Sequence, residues 1–243
     1  MYHSVYIGSK NTWDDYALVP AQKIYISAPT QKTKTVELEG ASGSLDFSTL
    51  LTGYPIYSNR QGSMAFYLLD RADFKALTNN GYPYPANFTF YDIFDRLVGE
   101  LDGKTFRVWL EDDPDWYYEG RVNVTTAMGS PRPGVSITYN FQPYKKSRKA
   151  NVWTMPGLGT SVINRQVISS ELAASMPGNF SFSVTGAEAE ITFKCPALQI
   201  NETKTFQTGS YEMFEWVVYG ESTIEVSAST SSTVTVTYVN GRL

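Results

Sequence analysis

The sequence predicts a mainly β protein in two parts, with one substantial helix. Three observations carry this. Tyr (17) and Phe (13) are abundant beside frequent Val and Thr, residue types that suit half-buried pleated surfaces. Apolar residues alternate with polar ones along most of the chain, with little helical spacing. Beyond residue 151 there is no Asp and Ser and Thr become dense, so composition alone divides the 243 residues.

In the first part, short alternating runs predict strands at Val5–Ile7, Ile24–Ile26, Thr35–Glu39, Ser44–Phe47 and Ser63–Leu69. Asn11-Thr12-Trp13-Asp14-Asp15 reads as a polar turn around one large aromatic. Two stretches look helical, Asp70–Leu77 and Thr89–Leu101. In the second, Phe90, Ile93, Phe94, Leu97 and Val98 fall at i, i+3, i+4, i+7 and i+8, one apolar stripe that must be buried against a sheet. Thr89 with Asp92 has the form of a capping box, and Gly103 sits where a left-handed cap belongs. Gly99 inside the helix costs about 1 kcal/mol relative to Ala.

The organising stretch follows, Gly103 to Val124. Phe106, Val108 and Leu110 alternate with Thr105, Arg107 and Trp109, and Tyr118, Val122 and Val124 alternate on the way back, with Gly120 in the same inward row. Between them Asp112, Asp113, Pro114 and Asp115 supply turn chemistry, since Pro fixes φ and Asp side chains bond nearby amides. This predicts a hairpin. Val135, Ile137, Tyr139 and Phe141 make a third strand. Lys145 to Lys149 is the basic run of the chain and predicts a solvated connection, with 1–146, 147–151 and 152–243 as first domain, linker and second domain. Seven short strands beyond it (Val162–Ile163, Ser181–Val184, Glu190–Phe193, Lys204–Phe206, Met213–Tyr219, Thr223–Val226 and Val234–Val239) predict an antiparallel sandwich.

Net charge is −4, which gives no global pull toward nucleic acid or an anionic membrane. The single cysteine, Cys195, excludes an internal disulfide and a multi-thiol metal site. No leader segment or long apolar run is visible, so a soluble protein made in a reducing compartment is expected. Gly99 to Thr105 has a passing likeness to a phosphate loop, but it leaves a helix where such a loop must open one. Glu111, Asp112, Asp113 and Asp115 lie in one turn, whereas glycosidase carboxylates face each other from different elements and a calcium loop spaces its ligands. His3 is the only histidine, which argues against a Ser-His-Asp triad or a His-based zinc site. Neither catalytic, cofactor nor metal residues are expected. Trp153, Tyr211, Trp216 and Tyr219 are candidates for stacking on sugar rings, with a core role as the alternative.

The order of several short motifs resembles the distal tail protein family of long-tailed, siphovirus-type phages. These are Ile7-Gly8 to Asp15 with Leu18, Val36 to Gly40, Gly43 to Asp46, Asn59-Arg60, the 90–101 helix, Asp112-Asp113-Pro114, Tyr117 to Arg121, and Tyr144 after Pro143. The resemblance implies an N-terminal split β-barrel or sandwich with one helix, like a tail-tube subunit, and a C-terminal galectin-like sandwich. It further implies a non-enzymatic virion protein, made in the host cytoplasm, that forms a homohexameric ring. Its partners would be the tail-tube protein, a tail-tip protein and a receptor-binding protein, with DNA passing through the lumen unread and no membrane contact. Trp13, Asp46, Arg60, Asp113, Trp116, Tyr117 and Arg121 are the candidate inter-subunit or structural residues. Two rivals remain: a carbohydrate-binding module built on the second domain, and a hydrolase using the acidic turn.

Overall fold

The computed structural model describes residues 3–37, 39, 42–78, 80–127, 133–168 and 176–243. In chain order the strands begin with β1 (Val5–Ile7), β2 (Lys10–Asn11), β3 (Leu18–Pro20), β4 (Thr35–Glu37), β5 (Ser44–Asp46) and β6 (Arg60–Leu68). Helices α1 (Arg71–Leu77) and α2 (Phe90–Leu101) come next, then β7 (Thr105–Leu110), β8 (Trp116–Ala127), β9 (Gly134–Phe141) and β10 (Lys145–Ser147). The rest is β11 (Asn151–Pro156), β12 (Asn164–Ile168), β13 (Gly178–Thr185), β14 (Ala189–Cys195), β15 (Ile200–Phe206), β16 (Gly209–Val218), β17 (Ser222–Ala228), β18 (Thr233–Tyr238) and β19 (Gly241–Arg242). The protein is mainly β, with curled antiparallel sheets.

Two compact units form: Met1–Gln31 with Tyr57–Lys145, and Lys32–Ile56 with Lys146–Leu243. Segment 32–56, which the sequence assigns to the first half, packs with the second. Two chain crossings bracket it, and no composition change marks them.

In the first unit the strands run β2-β1-β7-β8-β9-β6-β3, each pair antiparallel. The hairpin is formed by β7 and β8 with Val108 opposite Tyr118 and Phe106 opposite Gly120. Gly120 is there for a packing reason: a Cβ would stand 2.2 Å from the Asn140 carbonyl oxygen. Helix α2 carries both halves of its capping box, Thr89 accepting from the Asp92 amide and Asp92 from the Thr89 amide. Its Ile93, Leu97 and Leu101 are buried in one core with Val108, Val122 and Val124 of the hairpin. Each such side chain contributes at most about 1.5–3 kcal/mol, because the unfolded chain already hides part of that surface. Gly103 closes the helix at φ 68°, and Lys104 donates to the free carbonyls of Gly99 and Glu100.

Local sequence differs from structure at a few places. The stretch Asp70–Leu77 forms α1, seven residues from Arg71 to Leu77 with Asp70 capping the Asp73 amide, so the described residues of this unit hold both helical stretches read in the sequence, where the family resemblance implied one helix. Ile24 and Ile26 are buried and Tyr25 is 76% exposed, the alternation of a strand, yet no ladder forms there. Alternation reports which side faces the core and does not supply a neighbouring strand.

The second unit is a sandwich of two four-stranded antiparallel sheets, β11-β18-β13-β16 and β12-β17-β14-β15. Phe180, Phe182, Val184, Ile191, Phe193, Val234 and Val236 face inward around Trp216. The sandwich includes β11, which the sequence did not predict, and β12 begins at Asn164, just after the predicted Val162–Ile163. Segment 32–56 supplies a separate two-stranded ladder, β4 with β5, pairing Thr35 with Asp46 and Glu37 with Ser44. No helix among the described residues is long and apolar enough to cross a membrane.

Candidate functional site

The acidic turn between β7 and β8 is engaged in structural contacts. Glu111 accepts from the Ser4 amide at 2.9 Å and from its hydroxyl at 3.1 Å. Asp112 bonds His3, and Asp113 pairs with Lys145. Lys145 also lies over the Trp116 ring, 5.8 Å from its centroid, and its side chain is only 13% exposed. The basic run therefore does not begin as a solvated connection: its first lysine is spent inside the first unit. Among the described residues, no group of three or more His, Cys, Asp or Glu is placed to hold a metal ion.

The other candidate structural residues fall into two groups. Trp13 is half-buried against the first core, its ring 5.3 Å from Phe74. Tyr117 is buried beneath the Arg107 guanidinium at 5.0 Å. Arg60 is buried as well: Nε donates to the Pro143 carbonyl and Nη1 to the Ser27 carbonyl, both at 2.7 Å, with the guanidinium 5.5 Å above Tyr118. A side chain so enclosed ties three segments of its own unit together, the structural rather than the inter-subunit alternative. Burial pulls its pKa down, partly offset by nearby tyrosines. Asp46 and Arg121 are exposed. Asp46 accepts from the Ser48 amide and hydroxyl, and these bonds hold its pKa below the ordinary value.

Around Asp46 lies a feature that the sequence did not announce. The described residues of segment 32–56 form an arm whose strands β4 and β5 are exposed on both faces. It carries Val36, Leu45 and Ile56 in the open, Leu50 at 70% and Leu51 at 96% exposure. Its anchor is aromatic: Tyr54 packs on Tyr219 at 5.3 Å. Val36 stands opposite Leu45 across the ladder, and a lone two-stranded ladder is marginal in water.

The glycan candidates mostly serve the sandwich. Trp216 is fully buried among Phe180, Phe193 and Phe206 and donates through Nε1 to Glu202 at 2.9 Å. Its assignment as a sugar platform is overturned, because no face of the indole meets solvent. Trp153 is half-buried against the same core. Tyr211 stacks on Phe182 and donates to the Gln207 carbonyl, and Tyr219 is covered by Tyr54. Among the described residues of this unit Phe214, two positions before the buried Trp216, is an exposed aromatic, 75% open.

The first unit is thus a helix-backed curled sheet, and the second a two-sheet sandwich together with the β4–β5 ladder. Among solved structures the chain matches the SPP1 Dit (gp 19.1) protein, a paradigm of hub adsorption apparatus in phages that infect Gram-positive bacteria. The match has a TM-score of 0.56 at 10% sequence identity and covers 98% of this chain and 99% of that one. At that identity the likeness is one of fold. No protein-family model matches the sequence, and no curated protein matches it significantly.

Proposed function

We propose that this chain is the distal tail protein of a long-tailed phage. Six copies close into a ring that joins the tail tube to the tail-tip apparatus, and the genome passes through the lumen. The observation that carries this reading is the set of exposed aliphatic residues on the 32–56 arm (Val36, Leu45, Leu50, Leu51 and Ile56), in a chain that shares its fold with a hub protein over nearly its whole length. A head-to-tail ring gives each subunit two different edges, so an arm exposed on one copy is covered by the next. No catalytic group is needed for such a role. The tail-tube protein and a tail-tip protein are the axial partners, and the second unit is a platform for a receptor-binding protein. The subunit is made in the host cytoplasm and ends in the virion tail.

Sedimentation of the full chain tests this. Six times 27.2 kDa gives a particle of roughly 160 kDa. Leu50→Glu with Leu51→Glu, both open to solvent, leaves the fold intact and yields monomer. A wild-type chain that stays monomeric both alone and with tail-tube protein, or imaging that places it off the tail axis, overturns the proposal. A second reading, a glycan-contacting module in the second unit, is favoured by a hydroxyl-lined cavity on one of its sheets.

A further inference from the structure

The outer faces of the two sandwich sheets use their polar groups in opposite ways. On the β12-β17-β14-β15 sheet they are spent on each other. Glu225 pairs with Lys194 at 2.7 Å and with Arg165 at 3.7 Å, and Thr192 bonds Thr203 at 2.8 Å. On the β11-β18-β13-β16 sheet they are left over. The register lines up Thr154, Thr235, Ser183 and Ser210 across all four strands, and Thr237, Ser181 and Glu212 in the next row. Among the described residues, none of these hydroxyls makes a side-chain hydrogen bond and Glu212 has no cationic partner.

Over these rows lies a cavity of about 330 Å³, lined by the polar Ser181, Ser183, Ser210, Glu212, Thr235 and Thr237 together with Phe182 and Tyr211. Phe214 follows Glu212 by two positions on β16 and is 75% exposed, an open aromatic ring on the same strand as the Ser210 and Glu212 of these rows. The pairing of β13 with β16 passes from Ser181 opposite Glu212 to Asn179 opposite Val217, so Phe214 lies within the shift that ends the regular face.

We propose that this face binds a neutral oligosaccharide, with Phe214 as the stacking platform and Glu212 and the serine and threonine hydroxyls as hydrogen-bonding groups. The chemistry selects that class. A sugar ring has an apolar C–H face for an aromatic and a rim of hydroxyls that both donate and accept, as Ser and Thr do. An uncompensated carboxylate with no lysine or arginine on the face repels anionic ligands. The size is at the small end for ligand sites, enough for one or two sugar units. The inference deepens the glycan-contacting reading and is independent of the ring: a monomeric protein retains the face, and a ring-forming one can lack the activity.

The test is amide-shift titration of the full chain with maltotriose, lactose and chitotriose, and with sialyllactose as the anionic comparator. At least one neutral sugar is expected to give saturable shifts confined to β13, β16 and β18, at a dissociation constant on the order of 1 mM. Phe214→Ala, on an exposed side chain, is expected to weaken it about tenfold, and Ser183→Val severalfold. Thr192→Val on the opposite sheet leaves it unchanged. The absence of saturable shifts up to about 10 mM for every neutral sugar overturns the proposal. Shifts on the opposite sheet, an undiminished Phe214→Ala, or tighter binding of sialyllactose than of lactose do so as well.

Discussion

The Tyr16 hydroxyl donates to Glu100 Oε2 at 2.7 Å, linking the loop before β3 to the last turn of α2. Arg96 donates to the other carboxylate oxygen at 2.9 Å and lies 5.4 Å over Tyr84, whose hydroxyl returns to the Tyr16 carbonyl. The four side chains close a loop around the end of the helix. Burial works against the charge on Glu100, but hydrogen bonds from Arg96 and Tyr16 outweigh it and hold the carboxyl below its ordinary pKa. Burial and the same carboxylate push the Tyr16 phenol far up.

A depressed carboxyl contributes stability that is present above its unfolded value and is lost as pH falls through the folded one. Glu100→Gln is therefore expected to flatten the acid side of the stability profile. Glu100→Ala, which strands Tyr16 and Arg96, is expected to cost about 1–3 kcal/mol near neutrality. Urea unfolding of both variants between pH 3 and pH 7 is the check, and parallel profiles for wild type and Glu100→Gln would contradict the assignment.

Two glycines make a matched pair. At Gly99, in the helix and with nothing within 4 Å of an added Cβ, Ala is expected to stabilise by about 0.5–1 kcal/mol. At Gly120 the same methyl meets backbone at 2.2 Å and 2.7 Å, so Ala is expected to separate β8 from β9 and cost more than about 2 kcal/mol. Thermal melts should move in opposite directions.

The second unit carries its own alkaline signature. Burial raises the Tyr238 phenol to about 12. A group raised in the folded state stabilises fully below its unfolded pKa, near 10, and that contribution is lost as pH rises toward the folded value. Tyr238→Phe should therefore lose less stability than wild type between those limits, by on the order of 2 kcal/mol. Phenolate absorbance read alongside the melt identifies the titrating group.

Arg60 is expected to behave as a core residue. Arg60→Ala removes the bonds to Ser27 and Pro143 and leaves two buried carbonyls to find other partners, a loss of about 2–4 kcal/mol. Reduced stability of an isolated subunit would identify the enclosed role; an unchanged subunit with impaired assembly would restore an interface role.

Much of the layout was determined by the sequence alone. The 3.6-residue stripe and Thr89–Asp92 box specified α2, alternation with an Asp-Pro turn specified the β7–β8 hairpin, and Gly103 marked the helix end. Each is settled within about a dozen residues by local geometry. Which strands pair, and what lies outside, needed the tertiary structure. Ile24–Ile26 alternates without a partner, segment 32–56 leaves one half to pack with the other, and Phe214 and Trp216 are two residues apart yet end in opposite environments. A strand's ladder partner is set by chain segments far away in sequence, and a shift of register exchanges the inner and outer faces. The hydroxyl rows across β11, β18, β13 and β16 exist only once four distant segments share one register.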